Sequence, residues 1–203
     1  MTTAITNIKT KKVEIDFMYI DLETCTRCKG TDANLSIALD SATKVLEASD
    51  VEVTIRKTLV DTEQKALELG FVSSPTIRVN ESDIALELRE SSCASCGEAC
   101  GCDGEIDCRV WVYQGQEYTA APVGMIVDAI LSAVYSHLET APKPQAQTQK
   151  AVPENLKLFF ANKAAKLQSC CGAEEQTVCC DASEKETCCS AANQSQGKGC
   201  GCQ

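Results

Sequence analysis

The sequence predicts an α/β fold: a four-stranded mixed sheet with flanking helices, carrying a cysteine-rich insertion and a cysteine-rich tail. Three observations predict it. Strand-like and helix-like apolar periodicities alternate over residues 13–138. A segment dense in Cys and Gly interrupts them at 81–108. From Ser169 onward, Val178 is the sole Val, Ile, Leu or Phe.

The elements follow in order. Val13 to Ile20 alternates apolar residues with Glu14 and Asp16 and then runs into Phe17-Met18-Tyr19-Ile20, which predicts a largely buried strand. Leu35, Leu39, Ala42 and Leu46 fall on one helical face. Val51 to Leu59 alternates strictly and reads as a second strand. Asp61-Thr62-Glu63-Gln64 has the form of a capped helix start, and Gly70 suits its stop. Thr76 to Val79 is a short strand. Ile84, Leu86 and Leu88 alternate with Ala85, Glu87 and Arg89, which predicts a further extended segment. Arg109 to Tyr113 is the next strand, turned back at Gln114-Gly115. Pro122 opens the last helix of this unit, with Val123, Ile126, Val127, Ile130, Leu131 and Val134 as its apolar stripe. The order β-α-β-α-β-β-α makes a mixed sheet with helices on both faces.

Two motifs sit at telling places in that order. Cys25-Thr26-Arg27-Cys28 follows the first strand and opens the first helix, and Ser74-Pro75-Thr76 opens the third strand. On motif and element order together, residues 13–138 resemble the thioredoxin/glutaredoxin superfamily. More narrowly, the chain looks like a bacterial and archaeal thioredoxin-like family known mainly as a domain of unknown function, whose members carry the Cys-x-x-Cys, the Ser-Pro-Thr and a cysteine-rich insertion. The resemblance implies a cis-proline at Pro75 that faces the Cys-x-x-Cys and docks a substrate backbone beside Cys25. The reactive form of cysteine is the thiolate, which a helix N-terminus stabilises; Arg27 and Lys29 add positive charge. In this reading Cys25 is an exposed nucleophile and Cys28 resolves the mixed disulfide. No Trp precedes Cys25, and Thr-Arg stands where thioredoxin itself has Gly-Pro. The same motif is half of many zinc sites, so Cys25 and Cys28 also read as two metal ligands.

The insertion carries Cys93-x2-Cys96-x3-Cys100-x-Cys102-x5-Cys108, with Gly97, Gly101 and Gly104 allowing tight turns. Zinc takes four thiolates or imidazoles, and an iron–sulfur cluster takes four thiolates. This segment supplies such a set alone, with one Cys to spare. The alternative is a loop carrying disulfides or unliganded thiols.

Residues 139–152, Pro- and Gln-rich, read as a linker, and 153–168 as a short amphipathic helix with Leu156, Phe159, Phe160, Lys163 and Leu167 near one face. Residues 169–203 are too poor in apolar side chains to offset ordering entropy and are expected to be a disordered tail. That tail repeats at a period of nine: Cys170-Cys171, Cys179-Cys180 and Cys188-Cys189, then Cys200 and Cys202. Adjacent Cα atoms are about 3.8 Å apart, short of the ~4.4–6.8 Å that disulfides prefer, so vicinal pairs tend to stay dithiols. Dithiols chelate soft centres such as Cu(I), Zn(II), Hg(II) and trivalent arsenic. The vicinal pairs are similar to those of arsenic metallochaperones and arsenical efflux ATPases. His137, the single His, suits a helix C-terminus better than a ligand role.

Composition narrows the function. The formal net charge is -10, and residues 1–138 hold 12 Lys+Arg against 22 Asp+Glu. No basic cluster meets the demands of a phosphate backbone, so nucleic acid is not an expected partner. No apolar run is long enough for a bilayer-spanning helix, and none near the N-terminus suits a signal peptide. The 15 Cys then point to cytoplasmic thiol chemistry. The reading is a thioredoxin-like thiol protein that binds zinc or another thiophilic metal or metalloid ion and acts in heavy-metal or arsenic handling. A transporter or a thiol-redox protein is the candidate protein partner. The alternative is a thiol-disulfide oxidoreductase using Cys25 and Cys28, with no metal role.

Overall fold

The computed structural model describes residues 11–102, 106–135 and 151–168. Strand β1 (Lys11–Tyr19) runs parallel to β2 (Val51–Leu59) and antiparallel to β3 (Thr76–Val79). The two-residue β4 (Ser82–Asp83) pairs antiparallel with β3, giving the sheet order β2-β1-β3-β4. The architecture is therefore mixed α/β with a four-stranded mixed sheet and flanking helices, as the periodicities predict.

Helix α1 (Thr26–Ala48) crosses from β1 to β2, and α2 (Glu63–Glu68) leads to β3. The Thr62 side chain caps α2 by accepting the Lys65 N–H at 3.3 Å, and Gly70 follows it at φ 56°, where a side chain would be strained. Helix α4 (Val123–Tyr135) buries Ile126, Ile130 and Val134. They meet Val13, Ile15 and Phe17 of β1 and Leu35 of α1 in the main core.

The second half departs from expectation in two respects. The strand expected over 109–113 is β6 (Ile106–Tyr113), but it pairs with β5 (Arg89–Cys93) and β7 (Gln116–Tyr118) in a separate three-stranded sheet. Gln114 and Gly115 form the expected turn, both at positive φ (51° and 77°), the backbone that a tight hairpin requires. The extended segment expected from the 84–88 alternation is irregular instead. The Asp83 carboxylate accepts the Ala85 N–H at 2.9 Å and turns the chain, and Leu86 and Leu88 project into solvent. Their alternation has no opposing apolar layer to face.

Helix α3 (Ala94–Cys100) lies inside the β5–β6 connection and ends at Gly101, at φ 66°. Helix α5 (Glu154–Gln168) docks on the body. Its Leu156, Phe159 and Phe160 are buried in a second apolar cluster with Met18, Ile20 and Phe71. A 15-residue helix of this composition is marginal alone. Each such side chain, fully buried, contributes roughly 1.5–3 kcal/mol, which is enough to hold it. Among the described residues no helix is long and apolar enough to cross a membrane.

Candidate metal centre

That second cluster also contains Cys25, Cys28, Cys93, Cys96, Cys100 and Cys108. The geometry starts with Asp21, just past β1. Its Oδ1 accepts the N–H groups of Glu23 (2.9 Å), Thr24 (2.6 Å) and Cys25 (3.2 Å), folding the loop so that Cys25 arrives as the N-cap of α1. The Cys25 sulfur accepts the Cys28 N–H at 3.4 Å, a thiol version of the cap that Ser or Asp provides.

The β5–β6 hairpin brings the partners. Cys108 stands opposite Ser91, and Cys93 opposite Ile106. Residues two apart share a strand face, so Cys93 and Cys108 are diagonal neighbours on one side of the ladder. Cys93 is also the N-cap residue of α3, and Cys96 returns one turn later over the same spot. As a result the Sγ atoms of Cys25, Cys93, Cys96 and Cys108 all lie within 4.8 Å of one another, and all four residues are buried. Cys96 is 3.2 Å from Cys25 and 3.1 Å from Cys108.

Polar contacts lock the insertion over the start of α1. The Arg27 guanidinium donates to the carbonyl oxygens of Cys108 (3.0 Å) and Arg109 (3.2 Å), to Ser91 Oγ (3.0 Å) and to the Ser92 carbonyl. The Thr26 N–H donates to Ser95 Oγ at 3.1 Å, tying α1 to α3. Lys163 on α5 pairs with Asp21, and Lys166 donates to the Glu98 carbonyl.

Four buried thiols in contact resist losing all their protons at once, because adjacent thiolates repel one another. Cys25 is driven far below the ordinary thiol range, foremost by Cys108, then by Cys28, Cys93 and Cys96, against the cost of burial. Cys93 is lowered to about 6, foremost by Cys108. Cys108 is pushed up by Cys25, Cys93 and Cys96. Cys96 is drawn down by Cys108 but ends raised, because Cys25, Cys93 and burial outweigh that pull. Cys25 stands at the N-terminal end of α1, where unpaired N–H groups favour a thiolate. A cation at the centre would relieve the competition by binding all four as thiolates.

The four sulfurs fit a single ion. At a zinc–sulfur distance of about 2.3 Å, the edges of a sulfur tetrahedron are about 3.8 Å, and no two ligands of one ion can stand more than about 4.6 Å apart. Two of the sulfur pairs here are 3.1 and 3.2 Å apart, and none is more than 4.8 Å apart. A multi-iron cluster would hold its thiolates on different metal atoms and spread them wider.

The sequence-derived site residues are sorted as follows. Cys93, Cys96 and Cys108 come together as expected of the insertion, but the fourth sulfur is Cys25. Cys100 and Cys102 are joined to each other as a disulfide at the end of α3, outside that group. Cys25 is fully buried rather than exposed, because the insertion and α5 cover it. Cys28 is buried beside Ser74, with Oγ 3.3 Å from its sulfur, and is pushed up by Cys25 and by burial. The Ser74–Pro75 bond is cis, and Pro75 is buried next to this contact. Arg27, expected to lend charge to Cys25, instead spends its donors on backbone and hydroxyl oxygens of the insertion. Cys170, Cys171, Cys179, Cys180, Cys188, Cys189, Cys200 and Cys202 lie outside the described residues, as does His137. Asp21 and Ser95 had no signal in the sequence beyond an Asp four residues before Cys25 and a Ser inside Cys-x-x-Cys.

A family model described as a domain of unknown function, DUF2703, matches residues 13–130. The chain belongs to that family. No curated protein and no solved structure matches it significantly.

Proposed function

We propose that this is a thioredoxin-like thiol protein that binds one soft, thiophilic metal or metalloid ion at Cys25, Cys93, Cys96 and Cys108. The observation that carries this is the convergence of four buried sulfurs within 4.8 Å. Buried thiols of no function scatter among apolar neighbours; these are gathered at two helix N-termini and braced by Arg27, Asp21 and Ser95, as outer partners brace a metal's ligands. Zinc suits all four sulfurs. Trivalent arsenic takes three, which the cluster also supplies.

The tail enlarges this reading. Its vicinal Cys pairs would add soft-ion capacity near the domain, consistent with capture or delivery in heavy-metal or arsenic handling in the cytoplasm, with a transporter or thiol-redox protein as partner. Native mass spectrometry of the reduced full-length chain and of a chain ending at Gln168, each with zinc and with arsenite, tests both parts. The shorter chain should hold one ion, and the full chain more. Equal loading of the two would remove the tail from the proposal, and no loading of either would remove the metal.

A further inference from the structure

Cys25 belongs to two constellations at once. In one, its sulfur is a member of the four-thiol group, 3.2 Å from Cys96. In the other, it caps the first turn of α1, 3.4 Å from the Cys28 N–H, within a Cys-x-x-Cys whose second thiol takes no part in the group. Cys28 is fully buried, and Ser74 Oγ lies 3.3 Å from its sulfur. A helical turn brings residues three apart to a separation within disulfide reach. A disulfide sulfur has no thiolate to offer a metal. The two arrangements of Cys25 therefore exclude one another.

We propose that closure of a Cys25–Cys28 disulfide by a small peroxide ejects a four-coordinate ion such as zinc, so that its occupancy reports on oxidant. The inference rests on the metal reading above. The Cys25 thiolate attacks one peroxide oxygen; the O–O bond breaks, hydroxide leaves, and Cys25 becomes a sulfenic acid. Cys28 then attacks the Cys25 sulfur; the S–O bond breaks, and the Cys28 proton leaves with the hydroxyl as water. Two thiols lose two electrons, and hydrogen peroxide is reduced to water and hydroxide. The remaining trio, Cys93, Cys96 and Cys108, no longer completes a tetrahedron. A small oxidant is required because Cys25 is shut off from protein disulfides by the insertion and by Phe159 and Phe160 of α5. Reduction by a dithiol restores the fourth ligand.

The test uses the full chain with Ser at the eight tail cysteines, so that only the folded part binds. It is loaded with zinc and treated with hydrogen peroxide, while a chromogenic chelator follows zinc release and peptide mapping locates the disulfide. Release should be about one zinc per Cys25–Cys28 disulfide formed. Cys28→Ser and Cys28→Ala should take up the same zinc, stop at a Cys25 sulfenate whose sulfur or oxygen still ligates it, and release it at least tenfold more slowly. If Cys28→Ser releases zinc as fast as its parent, or if the new bond joins Cys96 to Cys108, the coupling is wrong while the metal site stands. A parent chain that takes up no zinc overturns the metal reading and this coupling with it.

Discussion

Lys163 of α5 places its ammonium 2.7 Å from Oδ2 of Asp21, whose other oxygen holds the loop that presents Cys25. A helix distant in sequence is thus tied to the residue that shapes the candidate metal centre. Burial raises the Asp21 pKa, but the Lys163 contact and the N–H groups of Thr24 and Cys25 outweigh it, and the net shift is downward. A depressed carboxylate contributes stability above its unfolded pKa of about 3.9, and that contribution is lost as pH falls through the folded value. Asp21→Asn should therefore cost about 1–2 kcal/mol at pH 7 and progressively less below pH ~4. Urea denaturation of the reduced, metal-free chain at several pH values checks this. An equal cost at pH 7 and pH 3 would show that the charge is not what matters.

Phe159 should act as the latch of α5. It is fully buried against the cysteine cluster, so Phe159→Ala leaves a cavity costing about 3–5 kcal/mol if the helix stays docked. Part of that cost should appear as more frequent opening of α5. Amide exchange across Glu154–Gln168 should accelerate by at least tenfold, and Cys25 should react faster with a thiol reagent. Faster exchange without faster thiol reaction would mean that α5 does not shield Cys25.

Arg27 should act on affinity without being a ligand. Its guanidinium spans four acceptors on the β5–β6 hairpin, two of them the carbonyls of Cys108 and Arg109. A lysine cannot reproduce that fork. Arg27→Lys should keep one zinc per domain but weaken its affinity about 10–100-fold, the usual scale for outer partners of a metal site. Competition against a chelator of known affinity reads this directly, and unchanged affinity would reduce Arg27 to a packing residue.

Much of the sheet and its helices was legible in the sequence because their signals are local. The alternation of Val51–Leu59, the stripe of Val123–Tyr135 and the Thr62 cap each declare themselves within a few residues. The pairing of β6 was not legible, since Arg109–Tyr113 looks the same beside β3 as beside β5. The alternation at 84–88 misled for the converse reason: a period of two without an opposing layer makes no strand. The site divided along the same line. Cys93, Cys96 and Cys108 are close in sequence and were read together. Cys25 joins them from 71 residues before Cys96, through contacts of Arg27 and Ser95 that no periodicity encodes. The available hint was numerical: two Cys-x-x-Cys motifs, each starting at a helix N-terminus, in a chain with one His.

Zinc X-ray absorption on the full chain, with the eight tail cysteines replaced by Ser, tests the central claim most directly. The account predicts one zinc with four sulfur neighbours at about 2.3 Å. Cys25→Ser should bind zinc far more weakly and, at the zinc excess needed to load it, show three sulfurs and one lighter atom, while a joint replacement of Cys100 and Cys102 by Ser leaves tight binding and four sulfurs. Four sulfurs retained after Cys25→Ser would contradict it, because the insertion would then hold the ion without the first helix.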